Sequence, residues 1–279
     1  MTSTRSTLAH PIAFIGGGNM ARSLIGGLIK RGAEPSRIRV AEPVEAVRAA
    51  LAAEFGVQVF AEPREATHGA ETWLFAVKPQ VMRQVCESLS AMAQAQRPLV
   101  ISIAAGITQA QMQRWLGGGL AVVRSMPNTP ALLGAGVTGL CASREVDADG
   151  RTRADSVLAS AGPTVWIEDE ARMDAVTGVS GSGPAYVFLL AEAMERAARE
   201  EGLSADAAAT LVRQTLLGAA RMLTEAGEAP DELRRRVTSP NGTTQAAIET
   251  FQAGGLEALV ARAIHAATVR GGELSAAND

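Results

Sequence analysis

Over its first 168 positions the chain places short, uninterrupted apolar runs between stretches of helical spacing. The runs are "IAFI" (12–15), "RIRVAEP" (37–43), "VQVF" (57–60), "TWLFAVKP" (72–79), "LVISIAAG" (99–106) and "LAVVRSMP" (120–127). "GVTGLCAS" (136–143) and "TVWIE" (164–168) add the last strands. A strand covered on one face alternates apolar and polar residues, whereas one covered on both faces reads as a continuous apolar run. Helical patterns follow the first run as far as Lys30 and fill 44–55, and others separate most of the later runs. Strands alternating with helices predict a largely parallel sheet between two helical layers, a doubly wound α/β domain. The opening "MTSTRSTLAH" has no such pattern and is expected to be a disordered tail over 1–10.

After Glu168 the pattern changes. "VFLLAEAMERAAREEG", "ADAAATLVRQTLLGAARMLTEAG", "TTQAAIETFQAG" and "GLEALVARAIHAATVRGGEL" are helical and rich in alanine. The expected division is an α/β domain over 1–168 and an all-α domain over 169–279. The long helices carry apolar residues on more than one face. They need more cover than one small domain supplies, which predicts a dimer that buries them.

Composition narrows the class. With 47% hydrophobic and 20% charged residues in 279, the chain can bury a core. A net charge of −3 exerts no general pull on nucleic acid or an anionic membrane. No secretory h-region and no run of about 18 apolar residues is present, so a cytoplasmic protein is expected. Cys86 and Cys141 read as two buried thiols, not as a disulfide or a metal site. Lysine occurs only at 30 and 78, and histidine only at 10, 68 and 265. Between 79 and 264 there is neither, which limits the acid–base chemistry available to the second domain.

"FIGGGNMA" follows a strand and opens a helix. Gly16, Gly18 and Ala21 fill G-x-G-x-x-A, with Gly17, Asn19 and Met20 between them. The first glycine makes a tight turn, the second lets backbone approach a pyrophosphate, and the small third residue lets helix and strand pack closely. Glu42, at the end of the next strand, suits the ribose hydroxyls and would repel a 2′-phosphate. It favours NADH over NADPH, with Arg39 and Arg48 as nearby cations able to reverse the preference. Ligands of open α/β sheets lie beyond the carboxyl ends of the strands. That places Ala76, Val77 and Lys78 of "AVKP" and Ala104, Ala105 and Gly106 of "IAAG" among the cofactor candidates. Asn128, between Pro127 and Pro130, either faces the nicotinamide or caps its own turn.

In the second domain "VTSPNGTTQAAIET" (237–250) breaks an arginine run and opens a helix. Bare N–H groups at a helix start make an anion site. "SGSGPAY" (180–186) puts Pro184 in the first turn of a helix. Its small residues serve either close ligand approach or capping and packing.

Taken in order, "FIGGGNMA", "AVKPQ", "ISIAAGIT", "MPNTPALLGAG", "DAVTGVSGSGPAYVF", "LLGAARML" and "SPNGTTQAAI" closely resemble the pyrroline-5-carboxylate reductases, from Ile12 over essentially the whole chain. The resemblance implies a Rossmann domain followed by an all-helical dimerisation domain, NADPH or NADH as cofactor, and a homodimer, in some members a ring of dimers. It implies reduction of 1-pyrroline-5-carboxylate to L-proline. It implies that the turn before the last helices holds the substrate carboxylate, through Ser239 and the N–H groups of Gly242, Thr243 and Thr244. Thr244 would contact the ring nitrogen as the catalytic candidate, and Glu170 would lie near the same pocket. The family loop reads Ser-Pro-Gly-Gly-Thr-Thr. Here Asn241 replaces the first glycine, and Asn is the residue that best tolerates positive φ after glycine. The family varies at the position of Glu42, so cofactor preference does not transfer.

Hydride transfer to a protonated imine needs placement and charge support, with no strong acid and no metal. A β-hydroxyacid dehydrogenase, the first alternative, would use a lysine of the helical domain, and no lysine follows Lys78. A non-catalytic dinucleotide-binding regulator is the second.

Overall fold

The computed structural model describes Leu8 and residues 10–278. The tail expected over 1–10 falls mostly outside them. Leu8 itself is buried in the core, and His10 Nδ1 lies 2.8 Å from Glu71.

The strands are β1 (Ile12–Ile15), β2 (Ile38–Ala41), β3 (Gln58–Phe60), β4 (Thr72–Phe75), β5 (Leu99–Ser102), β6 (Val122–Met126), β7 (Thr138–Ala142) and β8 (Thr164–Trp166). Each expected run contains one. They form one sheet in the order β3-β2-β1-β4-β5-β6-β7-β8. The helices between them are α1 (Asn19–Lys30), α2 (Glu45–Phe55), α3 (Pro63–Thr67), α4 (Pro79–Gln96), α5 (Gln109–Leu116) and α6 (Ala148–Leu158).

Period-2 alternation along the strands feeds two separate cores. Ile12, Phe14, Leu74, Ile101, Val123 and Leu140 point to one face, where they meet Leu24, Ile25 and Leu28 of α1. Ala13, Ile15, Trp73, Phe75, Val100 and Val122 point to the other, against Met82, Cys86 and Leu89 of α4 and Met112 of α5. With both faces covered, the central strands read as unbroken apolar runs. Every strand pair is parallel except β6–β7. The connection 127–137 holds only a 3₁₀ turn, Thr129–Leu133, and a parallel return needs a crossover of about a dozen residues or more.

The sequence runs outlast the strands at their ends. "AVKP" and "IAAG" leave the sheet as turns at Ala76 and Ile103, because their apolar or small residues continue the pattern while the backbone does not. Cys86 and Cys141 are both free and buried. Burial, with Glu87 nearby, pushes the Cys86 thiol up to about 12. Burial and then Glu170 raise that of Cys141.

Beyond β8 the chain is helical: α7 (Met173–Val176), a π turn (Thr177–Gly181), α8 (Gly183–Glu200), α9 (Ala205–Glu225), α10 (Pro230–Arg236), α11 (Thr243–Ala253) and α12 (Leu256–Ala277). The chain divides into two compact units, Met1–Ser182 with Ala266–Asp279, and Gly183–His265. Strand character stops near 168, but the first unit keeps α7, the π turn and the end of α12.

Among the described residues of the second unit, only Ala208, Val212 and Leu233 are buried hydrophobics. Phe188, Leu189, Leu211, Leu217, Val237 and Leu259 are all more than half exposed. Exposed apolar area of this extent marks an interaction surface. No helix among the described residues is long and apolar enough to cross a membrane.

Candidate active site

The glycine turn between β1 and α1 is shaped by what surrounds it. Gly16 has φ +104, and a Cβ there would lie 2.8 Å from the Ala76 carbonyl oxygen. A Cβ on Gly17 would meet Leu51 Cδ1 at 2.6 Å, while one on Gly18 would meet nothing within 4 Å. Gly16 is therefore required by the protein's own backbone packing, whereas a side chain at Gly17 would need Leu51 to shift. Gly18 presents open backbone. It is the N-cap of α1 and supplies no side-chain cap, so the first N–H groups of a twelve-residue helix are left for an anion. Ala21 is fully buried against the core, whereas Asn19 is exposed and Met20 half-buried. This cradle fits a dinucleotide pyrophosphate.

Glu42 ends β2 beside the turn. Its Oε2 accepts from Gly17 N and its Oε1 from Val44 N, each at 3.0 Å. The carboxylate is held in place, and each oxygen keeps a lone pair for a hydroxyl donor. Arg39 is turned away: it donates to the carbonyls of Glu65 and His68 and stacks 4.9 Å over Phe60. Arg48 donates to the carbonyls of Glu42 and Pro43 at 2.7 Å each.

Ala76, Val77 and Lys78 follow β4 alongside Gly16, and Lys78 is exposed at the start of α4. Ala104 and Gly106 are buried, with Ala105 exposed between them. Asn128 does not cap its own turn, and both ends of its amide bond elsewhere in the protein. Its Oδ1 accepts from Val137 N at 2.9 Å, and its Nδ2 donates to Ser180 O of the π turn at 3.1 Å. At 9% exposure it ties the turn after β6 to the "VSGSG" segment.

Glu170 belongs to a network that sequence reasoning missed. Its Oε1 accepts from Gln109 N at 2.7 Å, at the positive end of α5, and lies 3.4 Å from Arg124 Nη1. Arg124 Nη2 reaches Asp174 Oδ1 at 2.9 Å, and the Arg124 side chain is only 6% exposed. A signal was present: one arginine interrupts the apolar run "LAVVRSMP". A buried guanidinium demands carboxylates, but its sequence does not say which.

In the second unit "SPNGTT" forms the turn between α10 and α11. Asn241 adopts φ +58, the left-handed conformation expected for the residue replacing glycine. Its N–H donates to Gln245 Oε1 at 2.7 Å. One expectation is corrected here: the Gly242 N–H is donated to the Ser239 carbonyl at 3.0 Å, because the turn closes on itself. Among the described residues the N–H groups of Thr243 and Thr244 have no such acceptor, since both stand in the first turn of α11. Ser239 and Thr243 are exposed and Thr244 half-buried.

The fold thus gathers Gly16–Ala21, Glu42 and 76–78 around the carboxyl ends of β1, β2 and β4, with 104–106 at the end of β5. Glu170 joins Arg124 and α5 in that same unit. Ser239 and Gly242–Thr244 share one turn of the other.

Comparisons with known proteins match both the α/β and the helical parts of the chain. The family profile described as "Pyrroline-5-carboxylate reductase dimerisation" matches residues 170–274, and that described as "NADP oxidoreductase coenzyme F420-dependent" matches 11–106. The chain is 50% identical over 264 residues to the pyrroline-5-carboxylate reductase of Pseudomonas aeruginosa, covering 95% of this chain and 96% of that one. A solved pyrroline-5-carboxylate reductase from Coxiella burnetii matches at TM-score 0.93 and 40% identity, over 96% of this chain and 99% of that one. The Plasmodium falciparum pyrroline carboxylate reductase, solved with NADP bound, shares the fold at TM-score 0.82 and 24% identity, over 96% and 98%.

Proposed function

The chain belongs to the pyrroline-5-carboxylate reductase family, and we propose that it reduces 1-pyrroline-5-carboxylate to L-proline, the last step of proline synthesis, with the residues assigned below. It is a nicotinamide-dependent oxidoreductase acting on a CH–NH group, on a small-molecule substrate, and it carries a dimerisation domain. The observation that carries the reading is half identity to a named reductase across nearly the whole chain, with glycine cradle and "SPNGTT" turn both intact.

The nicotinamide supplies the hydride. The protein holds and orients. Gly18 and the start of α1 receive the pyrophosphate, Glu42 the ribose, and Ala76–Lys78, Ala104–Gly106 and Asn128 border the cofactor. Ser239 and the N–H groups of Thr243 and Thr244 hold the substrate carboxylate by backbone dipole and hydroxyl, with Gly242 shaping the turn. The imine nitrogen is already protonated, so the ring carbon accepts hydride without a strong acid. The Thr244 hydroxyl supports that nitrogen. Thr244→Ala is expected to lower kcat/KM about ten- to a hundredfold and to keep measurable turnover, since one hydrogen bond to a charged group is worth about 1.5–3 kcal/mol. Unchanged kcat/KM in steady-state kinetics would remove Thr244 from the mechanism.

A preference for NADH rests on Glu42, and on Arg39 and Arg48 being engaged with backbone carbonyls. NADH oxidation with pyrroline-5-carboxylate, beside parallel assays with β-keto acids, tests the substrate class. Repeated with NADPH, the assay is expected to give a kcat/KM at least about tenfold lower. Turnover of β-keto acids in place of the imine would overturn the substrate. A strong NADPH preference would overturn the role of Glu42. The exposed apolar faces of α8, α9 and α12 support a homodimer, with a ring of dimers as the larger assembly. Light scattering is expected to find no monomer at micromolar concentration, and a monomeric mass would refute it. Two free, buried thiols support a cytoplasmic setting.

A further inference from the structure

Residues 103–108 form the turn from β5 to α5 and carry Ala104, Ala105 and Gly106. The shape of this turn is set from far away in sequence. Gly106 has φ +70, and a Cβ there would lie 3.4 Å from Asn278 Nδ2 and 3.5 Å from Leu274 Cβ, so the end of α12 packs directly on it. Asn278 Nδ2 donates to the Gly106 carbonyl at 3.2 Å and to Leu274 O at 2.8 Å. The second bond, one turn back in its own helix, fixes the amide that makes the first. Close by, Gln111 Nε2 donates to Ser275 O at 3.0 Å, while Gln111 Oε1 accepts from Thr108 N at 2.8 Å. Gln111 is 3% exposed, and with Thr108 it forms the capping box that starts α5. The turn is therefore tied to α12 at Gly106 and again, through Gln111, at Thr108. Ala105, the neighbour of Gly106 within it, is exposed.

We infer that the end of α12 is a positioning element for cofactor binding, with Asn278 and Gln111 as positioning residues that hold the 104–106 turn in its binding shape. The inference rests on reading that turn as a cofactor contact. A glycine at positive φ has several accessible backbone states. A fixed donor on its carbonyl selects one, and a ligand meeting a pre-set backbone loses less free energy in ordering it. Both side chains bond within the protein, to Gly106, Leu274, Ser275 and Thr108. Acting through the turn, they affect cofactor affinity and not the chemical step.

Asn278→Leu keeps the size and removes the donor. It is expected to raise the KM for NADH about three- to tenfold, the weight of one hydrogen bond. At saturating NADH, kcat and the KM for pyrroline-5-carboxylate stay within about twofold, and the cofactor-free melting temperature within about 2 °C. Asn278→Asp, which sets a carboxylate against the Gly106 carbonyl, should match or exceed that rise. An unchanged NADH KM in both variants would overturn the inference. So would changes in all kinetic constants that track a fall in melting temperature. Ala105→Asp, at the exposed residue of the turn, separates the two levels. If it too leaves the NADH KM unchanged, the turn is no cofactor contact and the underlying reading fails. If it raises the KM while Asn278→Leu does not, only the positioning role fails.

Discussion

Gly162→Ala is expected to destabilise the α/β unit by about 3 kcal/mol or more, lowering its melting temperature by roughly 6–12 °C. Gly162 has φ +140, a backbone region that side chains rarely enter, and a Cβ built there would lie 1.9 Å from the Gly136 carbonyl oxygen. Neither partner can yield easily. Gly136 N donates to Ala161 O at 3.0 Å, and Thr138 N to Pro163 O at 3.0 Å, so the two segments lock together where β7 and β8 begin to pair. Gly118→Ala is the control. Gly118 also has positive φ, at +86, but nothing lies within 4 Å of its would-be Cβ. It should show backbone strain alone, about 1 kcal/mol. Equal melting temperatures for the two variants would mean that the contact with Gly136 is not the cause.

Arg124→Met is expected to destabilise the same unit by about 3 kcal/mol, read as a shift of the chemical or thermal unfolding midpoint. The cation lies between Glu170 and Asp174, and removing it leaves two carboxylates with no counter-charge. Those side chains are 28% and 21% exposed, so the loss falls at the lower end of the usual range for a buried pair. The triple variant Arg124→Met, Glu170→Gln, Asp174→Asn removes the charges together and should recover at least half of the loss. A single variant that melts with the parent would show that the network contributes nothing to the fold. A triple variant no better than the single would assign the loss to packing of the arginine stem. Either way, Glu170 and Asp174 are held at the start of the helical segment that leads through the π turn to "SGSGP".

The strands were legible because both faces of the sheet are covered. That condition writes continuous apolar runs into β1, β4 and β5, and glycine turns punctuate them. Gly16 and Asn241 were legible for a related reason. Each occupies a backbone conformation that few residue types tolerate, so residue identity reports local geometry directly. Glu42 was legible as the acidic residue that follows the second strand, and its bond to Gly17 N comes from the fold. The direction of β7 was not, since it depends on a connection too short for a crossover. Nor was the loss of the Gly242 N–H to Ser239, which depends on how the turn closes.

Partner choice separates the two kinds of information. The chain alone determined the two-part architecture, the glycine turn after the first strand, the "SPNGTT" turn that opens a helix, and the lack of any lysine in the helical part, where His265 is the one histidine. These follow from residue type, period and local spacing, over which short-range sterics and burial act. Tertiary structure alone decided that Arg124 meets Glu170 and Asp174, that Asn128 joins Val137 to Ser180, and that Asn278 holds Gly106. These pairs are separated by 46, 50, 9, 52 and 172 positions. A buried polar group requires a partner, and its sequence states that need. Which partner answers is decided by the strand order and by where the last helix ends, because only the folded chain brings donor and acceptor within hydrogen-bond distance.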